Sequence, residues 1–325
     1  MENKYNVSSS PHVRDNSTTS KIMLDVVIAM LPASLFGVYQ FGLSALVIIL
    51  GTVFAAVLAE YAYERIMKKT ITIKDYSAVV TGLILALNMP PEIPVWIPML
   101  GSVFAIVVVK QFYGGIGYNW MNPALAARCF LLISFAGKMT DFSSKHFGFD
   151  ALSGSTPMVP LKYGITDAVS SATQPQVVIY SLKDMFIGRI PGSIGEVSAL
   201  ALLIGAAYLL LKKVITLRIP LAYIISLLVF AFIFGEQDYQ YIMRHLLGGG
   251  LIFGAFFMAT DYTTSPITPL GQIIFGIFIG LLTGLFRIFG GSAEGVSYAI
   301  IIGNIVYPLI EKMTLPRAFG RRRSK

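Results

Sequence analysis

Long apolar runs separated by short polar joints set the limits on what this 325-residue chain can become. With edges free to move by a few residues, they lie at 22–39, 43–63, 76–90, 94–112, 121–136, 194–211, 219–235, 246–260, 270–289 and 294–311. A helix needs roughly 20 apolar residues to cross the hydrocarbon of a bilayer. The runs at 76–90 and 121–136 are the shortest against that length. Charge points the same way. Charged residues make up 13% of the chain and hydrophobic ones 55%, against about 25% and roughly 45–50% in a soluble domain. The chain reads as an all-α polytopic membrane protein, with about ten transmembrane helices and one long polar loop.

Five segments follow. Residues 1–20 form a polar, Ser/Thr-rich tail that lacks the apolar core of a signal peptide. Residues 21–136 hold the first five helices, 137–193 the polar loop, 194–312 the second five helices, and 313–325 a basic tail.

Cytoplasmic joints of membrane proteins collect Lys and Arg. With both termini cytoplasmic, that side receives Arg65, Lys68, Lys69, Lys74, Lys110, Lys212, Lys213, Arg218 and the tail Arg317, Arg321, Arg322, Arg323 and Lys325. The opposite joints receive Glu92, Glu236, Asp238, Arg244, Arg287 and Glu294. This orientation makes loop 137–193 extracytoplasmic, and it accounts for the net charge of +8 without nucleic acid as a partner. The lone Cys129 can form no internal disulfide, and His12, His146 and His245 do not cluster, so no metal site is predicted. With no cysteine cluster for an iron–sulfur centre and no nicotinamide fingerprint, any such chemistry belongs on partners.

The two halves echo each other. Residues 82–90 read GLILALNMP and 250–258 read GLIFGAFFM, while Gly114-Gly115 precede Tyr118, Asn119 and Asn122 much as Gly290-Gly291 precede Ser297 and Tyr298. Five helices lie between the copies, so the second is inverted, as in transporters whose sites sit at broken helices near the midplane. Gly and Pro are common in such chains in any case. Asn88-Met89-Pro90-Pro91, Asn122-Pro123 and the stretch Ser265 to Pro269 would each interrupt a helix. Such breaks either line a site or are turns at helix ends. Gly276, Gly280 and Gly284, four apart, form a close-packing stripe.

Polar groups inside apolar runs are costly and often functional. Asp25 and Glu60 fall in or near the first two runs, Glu60 near a helix end where it could be interfacial. Arg128 in the fifth run needs a partner or a headgroup. Asp261, within MATDYTTSP, is a candidate for ion or cofactor handling against a plain helix-end role. Asn119 and Asn122 are candidates for holding a ligand, with helix capping as the other reading. In the polar loop, Asp150, Ser153, Gly154, Ser155 and Thr156 make a hydroxyl-rich turn whose alcohols could bond backbone or carry a phosphoester.

These residues resemble the RnfD/NqrB family of membrane subunits in ion-pumping electron-transport complexes. The family's flavin-attachment motif is D-x-x-S/T-G-A-T; Asp150, Ser153, Gly154 and Thr156 match it, and Ser155 stands where Ala is usual. GGIGYNWMNPALAAR at 114–128 and MATDYTTSP at 258–266 resemble two further family segments, so the likeness covers roughly residues 20–312. The chain lacks the longer N-terminal extension of NqrB, which favours the RnfD branch.

The resemblance implies an FMN whose phosphate a flavin transferase esterifies to Thr156, and a non-covalent riboflavin among the helices. It further implies electrons passing between flavins, coupled to Na⁺ or H⁺ transport across a bacterial inner membrane. Partners would be the other membrane and peripheral subunits, including flavin and iron–sulfur subunits. The chain would carry electrons rather than hold a catalytic substrate site. Two other readings stay open: a secondary transporter or channel without redox chemistry, and a scaffold that only docks other subunits. The Asp150–Thr156 motif separates the first reading from these.

Overall fold

The structure, a computed structural model, describes residues 18–142, 156, 158, 161, 180–235, 237–290 and 295–316. Its elements are α1 (Thr19–Phe41), α2 (Leu43–Ile66), α3 (Ser77–Leu87), α4 (Trp96–Gln111), α5 (Pro123–Ser134), α6 (Leu182–Ile187) and α7 (Ala199–Leu211). They continue with α8 (Arg218–Phe234), α9 (Tyr239–Leu247), α10 (Leu251–Met258), α11 (Pro269–Ile288) and α12 (Val296–Thr314). Among the described residues there is no strand. Four helices, α1, α2, α11 and α12, are long and apolar enough to cross a membrane, and α9 and α10, bent by 55° at their break, pass the same test as a pair, as a broken span or a re-entrant loop would. α3, α4, α5, α7 and α8 are shorter apolar helices. The molecule is thus a helical, multi-pass membrane protein.

Several boundaries differ from the sequence reading, each for a backbone reason. The run at 76–90 is helical only to Leu87, because Pro90 and Pro91 lack the N–H a continuing helix requires. The run at 194–211 becomes helix only at Ala199, where the Ser198 hydroxyl accepts from Ala201 N at 3.2 Å. The run at 246–260 breaks at Gly248–Gly250, with Gly249 and Gly250 at φ +64° and +66°, a region glycine enters at little cost. α4 passes into π-helical turns over Phe104–Gln111 and α10 over Gly254–Met258.

A break inside a bilayer strands backbone groups that no water will pair. One buried stretch serves the first break: Ile194 N donates to Met89 O at 3.0 Å and Gly195 N to Leu87 O at 2.7 Å. The second break is matched at both ends. Arg287 donates to His245 O (2.6 Å), Gly248 O (3.0 Å) and Gly249 O (2.9 Å), all carbonyls where α9 ends. The Glu196 carboxylate packs on Gly250, which precedes the first turn of α10. A cation at a helix C-terminus and an anion at an N-terminus both oppose the local dipole. Arg287, read from sequence as a joint residue, is instead buried within α11.

Tight packing fixes the bundle. α11 lies along α8 with the glycine stripe between them, as the four-residue spacing suggested. A Cβ on Gly276 would come within 2.8 Å of Ile219 O, and one on Gly284 within 2.5 Å of the Phe230 ring. One on Gly280 would overlap Ser226 Oγ. Gly280→Leu should therefore cost at least roughly 1–3 kcal/mol, lowering the thermal midpoint of the purified protein. Gly137→Ala, at a position with open space around its Cβ, should leave the midpoint unchanged.

Candidate functional site

The loops after α4 and after α10 meet across the interior. Asn119 Nδ2 donates to Thr263 Oγ1 at 2.9 Å and to Met121 O at 3.1 Å. Thr263 and Thr264 hydroxyls both donate to Asp261 Oδ2, at 3.0 and 3.1 Å. Asn122 caps α5, its Oδ1 accepting from Ala124 N (3.1 Å) and Leu125 N (3.3 Å), and its Nδ2 reaches across to Met258 O at 3.5 Å. The Asn304 amide, oriented to satisfy its neighbours, joins Thr264 O (3.2 Å) to Asn122 N (3.0 Å). Of the two readings offered for Asn122, the cap is observed, and the same side chain also bridges two loops. Asn119 caps no helix.

Several of these residues border one cleft. Asn119, Asn122, Asp261 and Thr263 line it on one side, Phe256 and Phe257 form an apolar wall, and Ser77 and Lys110 also reach it. Apolar walls with a few convergent polar groups are the usual make-up of a small-molecule site. Asp261 lies beyond the end of α10, where it borders the cleft.

Lys110 leads from the cleft into a buried charged network. Its Nζ donates to Glu60 Oε1 at 2.7 Å and to Ser77 Oγ at 2.6 Å, and the Ser77 hydroxyl donates to Asp75 Oδ1 at 2.5 Å. Gln111 Nε2 donates to Glu60 Oε1 at 2.9 Å, and Thr72 gives its hydroxyl and its N–H to Glu64 at 2.5 and 3.0 Å. Glu60 is 0% exposed and Lys110 3%. The sequence alone places Lys110 in a cytoplasmic joint and allows Glu60 an interfacial position; both are interior. The available signal is Glu60 and Glu64 spaced by four, which shares one helix face. Their partner, fifty residues away from Glu60, leaves no local trace. Asp25 accepts from the Tyr208 hydroxyl at 2.7 Å, between α1 and α7.

At the broken span, Arg128 donates to Ser297 Oγ and its Nη2 lies 3.9 Å from Glu196 Oε1, which answers its need for a partner. Thr156 is buried at 6% exposure and Met158 at 1%. Met158 packs on Gly248 and Gly249. Asp150, Ser153, Gly154 and Ser155 lie outside the described residues. Among the described residues no group of three metal-ligating side chains forms.

The sequence profile of the NQR2, RnfD, RnfE family matches residues 6–320. The chain belongs to that family. Relatives span its whole length. One, from the Na⁺-translocating ferredoxin:NAD⁺ oxidoreductase complex of Acetobacterium woodii, is 45% identical over 317 residues, covering 97% of this chain and 95% of that one. Another, from the proton-translocating ferredoxin:NAD⁺ oxidoreductase complex of Clostridium ljungdahlii, is 42% identical, covering 99% and 98%. A third, from an ion-translocating oxidoreductase complex of Escherichia coli, is 35% identical, covering 98% and 99%. All three are named as single subunits of those complexes. This member of the NQR2, RnfD, RnfE family is a subunit of a membrane oxidoreductase complex, as its relatives are.

The Glu60–Lys110 pair makes a direct prediction. Removing one partner strands the other as an uncompensated buried charge, at a cost of about 3–5 kcal/mol. Lys110→Met should lower the thermal midpoint of the protein in detergent, and adding Glu60→Gln to the same chain should restore most of the loss.

Proposed function

We propose that this chain is the flavin-bearing membrane subunit of an Rnf-type ferredoxin:NAD⁺ oxidoreductase complex, passing electrons between flavins while Na⁺ or H⁺ crosses the membrane. The observation that carries the reading is the cleft that gathers Asn119, Asn122 and Asp261. Asp261 is distant in sequence from Asn119 and Asn122, and all three stand out there as polar groups beside helix breaks. The chain is similar along its length to subunits whose names specify ion translocation. Those two relatives differ in the ion named, so similarity leaves Na⁺ and H⁺ equally placed.

In this reading Thr156 carries FMN as a phosphoester, within the motif of Asp150, Ser153, Gly154 and Ser155. The cleft holds a riboflavin. Its composition suits a flat heterocycle: Phe256 and Phe257 offer aromatic surface to the ring faces, while the Asn119 and Asn122 amides offer hydrogen-bonding groups at an edge. A bound flavin would supply one- and two-electron transfer, with its potential tuned by these surroundings. The protein's own part is to bind and orient the ring and to place ionisable groups beside it. Asp261 at the cleft, and Glu60 with Lys110 behind it, are buried polar groups of the kind that mark ion routes.

Ten spans in two inverted halves, with cytoplasmic termini in a bacterial inner membrane, complete the reading. They place the Thr156 loop on the extracytoplasmic side. Partners are the remaining subunits, which supply the iron–sulfur and nicotinamide chemistry, and a flavin transferase for maturation.

Two measurements test this. After co-expression with a flavin transferase, the denatured protein should fluoresce in a gel under ultraviolet light. Thr156→Ala should abolish the band and Ser155→Ala should leave it; a band of full intensity in Thr156→Ala would move the attachment elsewhere. Asp261→Leu should keep that band while lowering ion uptake by vesicles at least about tenfold, and unchanged uptake would remove Asp261 from the route.

A further inference from the structure

The first break, where α3 ends, holds two side-chain oxygens that the fold leaves unpaired. Asn88 follows α3 directly. Its Nδ2 donates to Ile84 O at 2.7 Å, which fixes the orientation of the amide and leaves Oδ1 with no hydrogen-bond partner among the described residues. Ser193 Oγ has none either. Both residues are buried, at 2% and 0% exposure. The backbone sets them beside one another. Met89 O, one residue past Asn88, accepts from N of Ile194, one residue past Ser193, at 3.0 Å. Leu87 O, on the other side of Asn88, accepts from Gly195 N at 2.7 Å. Buried polar atoms are nearly always paired, and two exceptions at one helix break are the mark of a bound group.

The surroundings select its chemistry. An amide oxygen and an alcohol are neutral and take up no proton near neutral pH, so the group is not a proton. Both are hard oxygen donors, of the kind that bind hard cations. α3 turns the negative end of its dipole toward the same place. Its 11 residues make it about 16 Å long, half of the roughly 30 Å hydrocarbon layer, so this end lies deep in the bilayer. Half-helix C-termini and unwound backbone at that depth are where transporters coordinate Na⁺. Of the carboxylates nearest in the chain, Glu196 lies against Arg128 and Gly250, and Glu92 is exposed. Neutral ligands favour a monovalent ion over a divalent one, because less charge is left uncompensated. We propose that Asn88 Oδ1 and Ser193 Oγ are two ligands of a Na⁺ site at the end of α3, with backbone carbonyls of the break completing the shell. The proposal concerns ion binding by this chain and does not rest on the flavin reading.

The test uses purified full-length protein in detergent at constant ionic strength, with choline chloride replaced stepwise by NaCl. The thermal midpoint should rise by a few degrees with Na⁺, since a ligand held only by the folded state stabilises it, and KCl should not reproduce the rise. Ser193→Ala and Asn88→Leu should each weaken Na⁺ binding at least about tenfold, read from the midpoint series and from radiolabelled Na⁺ retained on the protein. In choline both variants should melt at or above the unaltered chain, because each removes a buried polar atom that lacks a partner. Ile84 O stays paired in Asn88→Leu, since the backbone N–H at that position also donates to it, at 3.3 Å. Gly137→Ala should keep the full Na⁺ response.

An equal rise with K⁺, or an unaltered Na⁺ response in either variant, would overturn the site. So would midpoints several degrees below the unaltered chain in choline, because the two oxygens would then be paired within the folded protein. None of these readouts involves flavin, so a failed attachment test leaves the outcome untouched.

Discussion

Arg287, buried within the bundle, satisfies three backbone carbonyls at once, and the second half of the molecule is arranged around that fact. Lipid pairs no backbone group, so a span can break only where protein replaces the lost hydrogen bonds. Here a guanidinium covers the end of α9 and a carboxylate, Glu196, covers the start of α10. Arg128 joins the same group from α5 through Ser297 and Glu196. With the break secured, α10 can stop short and deliver Asp261 to the cleft instead of to a far surface.

The residues between α6 and α7 tie this break to the other one. Ile194 and Gly195 pair with the carbonyls that α3 leaves open, and Glu196, next in the chain, serves Gly250. Three consecutive residues thus hold both interruptions. A Cβ on Gly195 would come within 2.5 Å of Leu87 Cβ, which explains why the backbone approaches so closely there.

The helical, membrane-embedded character was legible because it depends on composition and run length, which are local properties. So was the glycine stripe, whose four-residue spacing is the helix's own period. Asn119, Asn122 and Asp261 were legible as candidates because polar groups beside helix breaks are unusual in apolar chains. What could not be read was long-range pairing. Lys110 looks like a loop residue from its neighbours Gln111 and Phe112, and only contact with Glu60 on α2 makes it interior. Arg287 looks like a terminal charge on an apolar helix until the carbonyls of His245, Gly248 and Gly249 are found beside it. The helix start at Ala199 was hidden for a related reason: Ile194 and Val197 are as apolar as the helix that follows, but the backbone there is used elsewhere.

The hydrogen bond from Asn119 to Thr263 joins residues 144 positions apart. A ribosome feeding this chain into the bilayer has finished five apolar segments long before Thr263 exists. Until then Asn119 and Asn122 keep only their local bonds and lack their partners in the second half, Thr263 and Met258 O. The first half therefore enters the membrane with an unfinished seam, and waits for the second half to be translated before its polar centre can close.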